Sequence, residues 1–192
     1  MRIAILASGG GSNASALMNH FSKTEDIDVV LVGSNRRSAG ILEKANQLGK
    51  ASIHFTREDL EGGKLLKKLK TLKVDWVLLA GFLLQIPREF CRTFKNRIIN
   101  IHPSLLPKYG GKGMFGMNVH RAVFAAKEKE SGMTIHYVNE RYDEGDIVFQ
   151  GRIDVSELKS AEEIASEVLK LEHEYYPRIA RELILESQRK IE

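Results

Sequence analysis

The sequence predicts an α/β fold: helices doubly wound about a mostly parallel, Rossmann-like sheet, with an antiparallel C-terminal strand pair and a long C-terminal helix. Three observations carry that reading. Short β-like apolar runs alternate with segments of helical period as far as residue 127, which is the rhythm of βαβ units. A glycine-rich turn, Ser8-Gly9-Gly10-Gly11-Ser12-Asn13, joins the first run to the first helix. Beyond Met133 two strand-like runs are separated only by a short acidic connection, too short for a crossover helix, so they pair antiparallel.

Taken in order, Ile3 to Ala7 is a buried strand and Ala14 to Phe21 a helix. Ile27 to Val32 is the second strand, followed by a helix from about Ala39 to Leu48 and a short third strand, Ala51 to Phe55. Leu60 to Leu72 has helical period, and Gly62-Gly63 can delay its start. In that segment Lys64, Lys67, Lys68 and Lys70 alternate with Leu65, Leu66 and Leu69, the pattern of an amphipathic helix with a solvated face. Val74 to Ala80 and Arg97 to Ile101 are the fourth and fifth strands. Residues 103 to 118 form a glycine-rich loop, and Val119 to Lys127 is helical. Met133 to Val138 and Ile147 to Val155 are the antiparallel pair. Ala161 to Gln188 closes the chain as a helical pattern that Pro177 is expected to break or kink. The 192 residues read as a single domain, with no internal repeat and no linker.

Composition bounds the function. A charged content of 28% against 43% hydrophobic residues fits a soluble globular protein. The net charge of +4 is dispersed in short clusters, which favours small anionic ligands over nucleic acid. The single cysteine, Cys91, excludes an internal disulfide framework and a thiolate metal cluster. Flanked by Phe90 and Phe94, it reads as a buried structural thiol in a cytoplasmic protein. No signal peptide is evident, because Met1-Arg2 leads straight into an apolar run. The longest apolar stretch, Val77 to Leu84, is too short to span a bilayer.

Three segments carry chemistry. In Ile98-Ile99-Asn100-Ile101-His102-Pro103, period-two alternation puts Asn100 and His102 on one face of a strand. Pro103 ends the ladder, so His102 stands at the strand terminus, where open α/β sheets place ligand-facing groups. Asn supplies a neutral donor, and His can move a proton or stabilise an oxyanion near neutral pH. A strand-end His in a satisfied structural network is the plain alternative. The Gly9–Asn13 turn lets backbone N–H groups at a helix N-terminus approach an anion, phosphate above all. It matches neither Walker A nor G-x-G-x-x-G, and a plain strand–helix turn has the same look. In Tyr142-Asp143-Glu144-Gly145-Asp146 a carboxylate can orient His102 or balance its charge. Local chemistry alone does not separate such a carboxylate from a solvated acidic turn, nor one carboxylate from another.

These segments occur in a telling order. Ser8-Gly9-Gly10-Gly11-Ser12-Asn13 is followed by Ala80-Gly81-Phe82, by Asn100-Ile101-His102-Pro103-Ser104-Leu105-Leu106-Pro107-Lys108-Tyr109 and by Gly132-Met133-Thr134-Ile135-His136-Tyr137-Val138. Asp143-Glu144-Gly145 and Glu172-His173-Glu174-Tyr175-Tyr176-Pro177 complete the series. From Met1 to about Leu183 the chain closely resembles the folate-dependent phosphoribosylglycinamide formyltransferases of purine biosynthesis. The Asn-x-His-Pro-Ser-Leu-Leu-Pro block marks the wider formyltransferase family, and the Ser-Gly-x-Gly-Ser-Asn loop the glycinamide ribonucleotide branch.

The resemblance implies formyl transfer from 10-formyltetrahydrofolate, a cosubstrate, to the amine of 5'-phosphoribosylglycinamide, without a metal. It implies that Asn100, His102 and Asp143 are catalytic, with Asp143 rather than Asp146 supporting the histidine. It implies that Gly11, Ser12 and Asn13 hold the substrate phosphate and that Glu172 contacts the glycinamide substrate. For folate it implies backbone and apolar contacts from Leu83, Leu84, Gln85 and Ile86, a closing loop of Asn139, Glu140, Arg141, Tyr142 and Asp143, a contact from Asn100, and a more weakly aligned Arg57. The partners are then two small molecules, with neither nucleic acid nor membrane, and the oligomeric state stays open.

One segment departs from the family pattern. Gly110-Gly111-Lys112-Gly113-Met114-Phe115-Gly116-Met117-Asn118 is longer than the usual loop before His120-Arg121. Methionyl-tRNA formyltransferase would need a further C-terminal domain, and the chain ends at Glu192. Formyltetrahydrofolate hydrolase would need an N-terminal regulatory domain. A non-catalytic phosphate-binding module would use only Gly11–Asn13 and leave Asn100, His102 and Asp143 without a joint role.

Overall fold

The computed structural model describes residues 1–189. Its strands are β1 (Arg2–Ala7), β2 (Asp28–Ser34), β3 (Ser52–His54), β4 (Trp76–Leu79), β5 (Ile98–His102), β6 (Glu130–Tyr137) and β7 (Ile147–Asp154). Its helices are α1 (Ser12–Phe21), α2 (Gly40–Gln47), α3 (Arg57–Glu61), α4 (Lys64–Thr71), α5 (Arg88–Thr93), α6 (Met117–Ala125) and α7 (Ala161–Arg189). The strands form one sheet in the order β3-β2-β1-β4-β5-β6-β7. β1 to β5 run parallel, and β6 and β7 join antiparallel. The expected fold class is the observed one.

Alternation along β1 builds both faces. Ile3, Ile5 and Ala7 enter a core shared with α1, α2, α6 and α7, while Ala4 and Leu6 enter a second core shared with α3, α4 and α5. A strand buried on both sides has no polar face, which is why Ile3–Ala7 reads as one apolar run. On β5, Ile99 and Ile101 face the first core and Ile98 the second. Asn100 and His102 share the phase of Ile98, and β5 ends at His102 as Pro103 requires.

Two local expectations are corrected, and one helix is added. Gly62-Gly63 divides the predicted Leu60–Leu72 helix in two. A reciprocal cap between Thr56 and Asp59 starts α3, and Gly63, at φ 77°, precedes α4. The lysine face of α4 is exposed and Leu65, Leu66 and Leu69 are buried, as expected. α5 went unforeseen, because six residues behind Pro87 are too few to show a helical period. Pro177 does not end α7, which runs through it. An internal proline costs about 3 kcal/mol. Buried Ile164, Val168, Tyr176, Ala180 and Ile184 offset that cost, and the Tyr176 hydroxyl donates to the Leu79 carbonyl at 2.9 Å. Among the described residues no helix is long and apolar enough to cross a membrane.

The turn after His102 is fixed from β6. Thr134 is fully buried, and its hydroxyl donates to the Ser104 carbonyl at 2.6 Å. It accepts from the Leu106 N–H at 3.1 Å and from Gln150 Nε2 at 3.0 Å. Thr134→Val keeps the shape and takes a partner from two buried backbone groups, the Ser104 carbonyl and the Leu106 N–H, so it should cost about 2 kcal/mol. Chemical denaturation of both proteins checks this, and an unchanged midpoint would contradict it.

Candidate active site

The ends of β1, β2 and β4 are joined through Ser8. Its N–H donates to the Gly81 carbonyl at 3.0 Å, and its hydroxyl donates to Asn35 Oδ1 at 2.6 Å while accepting from the Leu83 N–H at 2.9 Å. β1 is where the winding reverses, with β2 on one side and β4 on the other, so a crevice opens at these strand ends. The crevice is a cavity of about 600 Å³. Asn13, Leu83, Asn100, His102, Asp143 and Glu172 all line it.

Gly11 caps α1 in the left-handed region at φ 68°, and a Cβ there would come within 2.7 Å of the Ile41 side chain. Glycine is therefore required twice over, by conformation and by space. No side chain caps α1, and its first turn carries no acid, so its leading N–H groups are left for a ligand. Asn13 donates to Glu172 Oε2 across 2.6 Å, and its own Oδ1 is buried without a partner. Burial pushes the Glu172 carboxyl up to about 7, against the lowering effect of the Asn13 bond.

β6 completes the opposite wall. Its antiparallel register sets His136 opposite Asn100 and Thr134 opposite His102. His136 is buried, and burial lowers its pKa despite the Tyr137 carbonyl and Asp143, which both raise it. The neutral ring donates from Nδ1 to the Tyr137 carbonyl at 2.8 Å, so Nε2 accepts from Asn100 Nδ2 at 3.1 Å. That tautomer fixes the Asn100 amide and leaves it a second N–H.

His102 sits 4% exposed, with Nε2 donating to the Tyr109 carbonyl at 2.8 Å. Nδ1 lies 3.6 Å from Asp143 Oδ2. The same carboxylate accepts from the Gly111 N–H at 2.8 Å and stands 3.7 Å from His136 Nε2. Asp143 is itself in the left-handed region at φ 56°, which Asp tolerates better than most residues. Gly145 is needed because a Cβ there would fall on the Tyr137 carbonyl, the acceptor of the His136 N–H.

Of the other expected residues, Leu83 and Tyr142 line the cavity, but Gly11, Ser12, Leu84, Gln85, Ile86, Asn139, Glu140 and Arg141 do not. The two expected folate segments touch each other. Gln85 Nε2 donates to the Glu140 carbonyl at 2.6 Å, and Arg88 pairs with the Glu140 carboxylate at 2.9 Å. The Ile86 side chain is buried beside Phe82 and Phe90, so only its backbone can meet a ligand. Arg57 opens α3 away from the cavity lining and pairs with Glu61 at 3.4 Å. Asp146 is exposed and offers its carbonyl to the Tyr137 N–H, while Asp143 is the acid beside His102. Sequence reasoning gave no role to Thr134, His136, Lys112 or His120. The two-residue spacing of Thr134 and His136 on a strand was the available signal for those two. Burial raises the Cys91 thiol to about 11, in keeping with a structural thiol. Among the described residues no cluster of three or more His, Cys, Asp or Glu side chains is placed to hold a metal.

The comparisons converge with this geometry. The Formyl transferase family model matches residues 1–180. The chloroplastic phosphoribosylglycinamide formyltransferase of Arabidopsis thaliana is 40% identical over 185 residues, covering 93% of this chain and 63% of the relative. That of Vigna unguiculata is covered to 60%, so the chain spans less than two thirds of either plant protein. The phosphoribosylglycinamide formyltransferase of Bacillus subtilis (strain 168) is 31% identical over 189 residues, covering 95% of this chain and 94% of the relative. Among solved structures, phosphoribosylglycinamide formyltransferase from Anaplasma phagocytophilum superposes with a TM-score of 0.84 at 35% identity, over 94% of this chain and 87% of that one. Glycinamide ribonucleotide transformylase 1 from Symbiobacterium toebii gives 0.86 at 32% identity, over 94% and 86%.

The buried Glu172 makes stability depend on pH. Its folded value of about 7 lies above the ordinary 4.5. The folded state therefore holds the extra proton, and stability falls as pH rises from the ordinary value through the folded one. Glu172→Gln is neutral throughout and keeps an acceptor for Asn13. It should melt above the wild type near pH 8 and level with it at about pH 4. Thermal scans at both values check this, and an equal offset at the two would contradict it.

Proposed function

The chain belongs to the formyl transferase family, and we propose that it carries a formyl group from 10-formyltetrahydrofolate to the amine of 5'-phosphoribosylglycinamide in purine biosynthesis. The observation that carries this reading is the convergence of Asn100, His102 and Asp143 on a cavity whose other wall holds Asn13 and Glu172. Its support also comes from the relatives and solved structures that bear this activity in their names. We take the whole of residues 1–192 as one formyltransferase domain, acting in the cytoplasm as its cysteine usage suggests.

In this reading the phosphate rests on the N–H groups of Gly11, Ser12 and Asn13 at the start of α1, and Glu172 meets the glycinamide part of the substrate. Folate lies along the Leu83–Ile86 and Asn139–Asp143 segments. The amine attacks the formyl carbon: a C–N bond forms, and the carbonyl electron pair moves to oxygen. Asn100, its amide set by His136, gives its second N–H to that oxyanion. His102 turns from the Tyr109 carbonyl and donates to the same oxygen, while Asp143 faces the other ring nitrogen and helps to orient the ring. The attacking nitrogen loses a proton, the folate nitrogen gains one, and the bond to folate breaks. This accounts for all three polar side chains at the β5 end; a phosphate-binding module would account for none of them.

The direct experiment mixes the protein with both substrates and follows the folate product by absorbance. Product that forms without the ribonucleotide would point to a hydrolase instead. His102→Ala should lower kcat by about 10³-fold, with KM and melting temperature little changed. Asp143→Asn should fall sharply and Asp146→Asn only mildly. Full activity in His102→Ala would refute the mechanism, and a larger loss from Asp146→Asn would identify the wrong carboxylate.

A further inference from the structure

The charges lining the cavity do not balance for the substrate proposed above. Asp143 is its one acid besides Glu172, whose burial keeps a proton on it up to about pH 7, and Lys112 is the one lysine or arginine among the described residues that line it. A phosphate monoester carries about −1.5 to −2 near neutral pH. A helix N-terminus offsets only about half a charge. Lys44 stands close to the glycine turn, donating to the Gly10 carbonyl at 2.9 Å, but does not line the cavity.

Lys112 is placed to correct the balance. The backbone on both sides of it is held. The Gly111 N–H donates to Asp143 at 2.8 Å, the Met114 N–H to the Gly111 carbonyl at 3.1 Å, and Asn118 Nδ2 to the Gly113 carbonyl at 3.1 Å. Gly111 and Gly113, at φ 91° and 90°, flank it in a conformation that leaves the lysine on a tight turn. Its ammonium has no hydrogen-bond or ion-pair partner among the described residues. It belongs to the loop whose length departs from the family pattern.

We propose that Lys112 is a substrate-binding residue that closes its ammonium on the phosphate of the ribonucleotide, opposite the N-terminus of α1. The inference rests on the function proposed above and assigns the extra loop a purpose: it brings a cation to the cavity side of the glycine turn, which Lys44, held on the Gly10 carbonyl, does not line. Met114, Phe115 and Leu169 share the cavity lining with it, and the pair lies where solvent reaches it. The folate glutamate carboxylates are the competing anion, and the test separates the two.

Lys112→Gln should raise KM for the ribonucleotide about tenfold, with kcat and the KM for folate unchanged. Lys112→Arg should restore most of the affinity. KM for the dephosphorylated glycinamide riboside should be the same in wild type and Lys112→Gln, and the tenfold gap for the ribonucleotide should shrink with added salt. A rise in the folate KM instead, or no change for either substrate, overturns the proposal. Calorimetry with inorganic phosphate tests the contact without turnover: binding to wild type should weaken in Lys112→Gln. If wild type binds phosphate through Lys112 yet transfers no formyl group, the functional reading fails and the phosphate contact stands. If phosphate binding is equal in the two proteins, the contact fails whatever the activity.

Discussion

One carboxylate holds the candidate site together. Asp143 receives the Gly111 N–H at 2.8 Å and faces His102 at 3.6 Å and His136 at 3.7 Å. Those partners come from the glycine-rich loop, from β5 and from β6. Its side chain is only 12% exposed, so the charge works in a medium less screening than water. A left-handed backbone at Asp143 and a Cβ-free Gly145 are the local conditions for presenting it. The acidic turn between β6 and β7 is thus a folded device with conformational requirements at two positions, rather than a solvated linker.

The antiparallel edge brings two buried histidines onto neighbouring strands, and His102 adds to burial in lowering the pKa of His136. β6 pairs with β5 so that His136 lies opposite Asn100, one layer below His102. Burial keeps His136 neutral, and its Nδ1–H is committed to the Tyr137 carbonyl. Nε2 is then a pure acceptor, which turns the Asn100 amide in one direction. A parallel return after α6 would have set other residues opposite Asn100 and His102. The change of strand direction after residue 130 therefore belongs to the chemistry as much as to the topology.

Much of this was legible in the sequence, for physical reasons. Strands buried on both faces read as unbroken apolar runs, so β1 and β4 were visible, and β5 showed as an apolar run broken only in the phase of Asn100 and His102. Pro103 fixed where β5 stops, and with it the position of His102. The short acidic link disclosed the antiparallel pair. What stayed hidden was decided by tertiary contacts. The six residues of α5 carry no period, and the packing that carries α7 through Pro177 lies on distant strands. The role of His136 depends on a tautomer set by a carbonyl one residue away, and that of Thr134 on three partners more than ten residues distant. Among the site residues, the spacing around Asn100 and His102 was local and readable. Choosing Asp143 over Asp146 needed the resemblance first, and the 3.6 Å approach to His102 now favours the same choice. Arg57, the weakest alignment, is also the residue farthest from agreeing with the cavity.

The His102 ring gives the last step. As it stands, Nε2 donates to the neutral carbonyl of Tyr109, whose backbone is steadied by its own hydroxyl on Glu128 at 2.9 Å. A neutral hydrogen bond is worth about 1 kcal/mol net, and one to a charged partner about 1.5–3. A ground-state formyl oxygen is no better an acceptor than the Tyr109 carbonyl, so it gains little by displacing it. The oxyanion of the proposed reaction is a better acceptor and draws the donor across. The exchange favours the transition state over bound substrate, which is the condition for accelerating the chemical step rather than merely tightening binding. The Tyr109 carbonyl thus gives the imidazole a satisfied resting place, so that a buried donor is never left unpaired while the cavity waits for its second substrate.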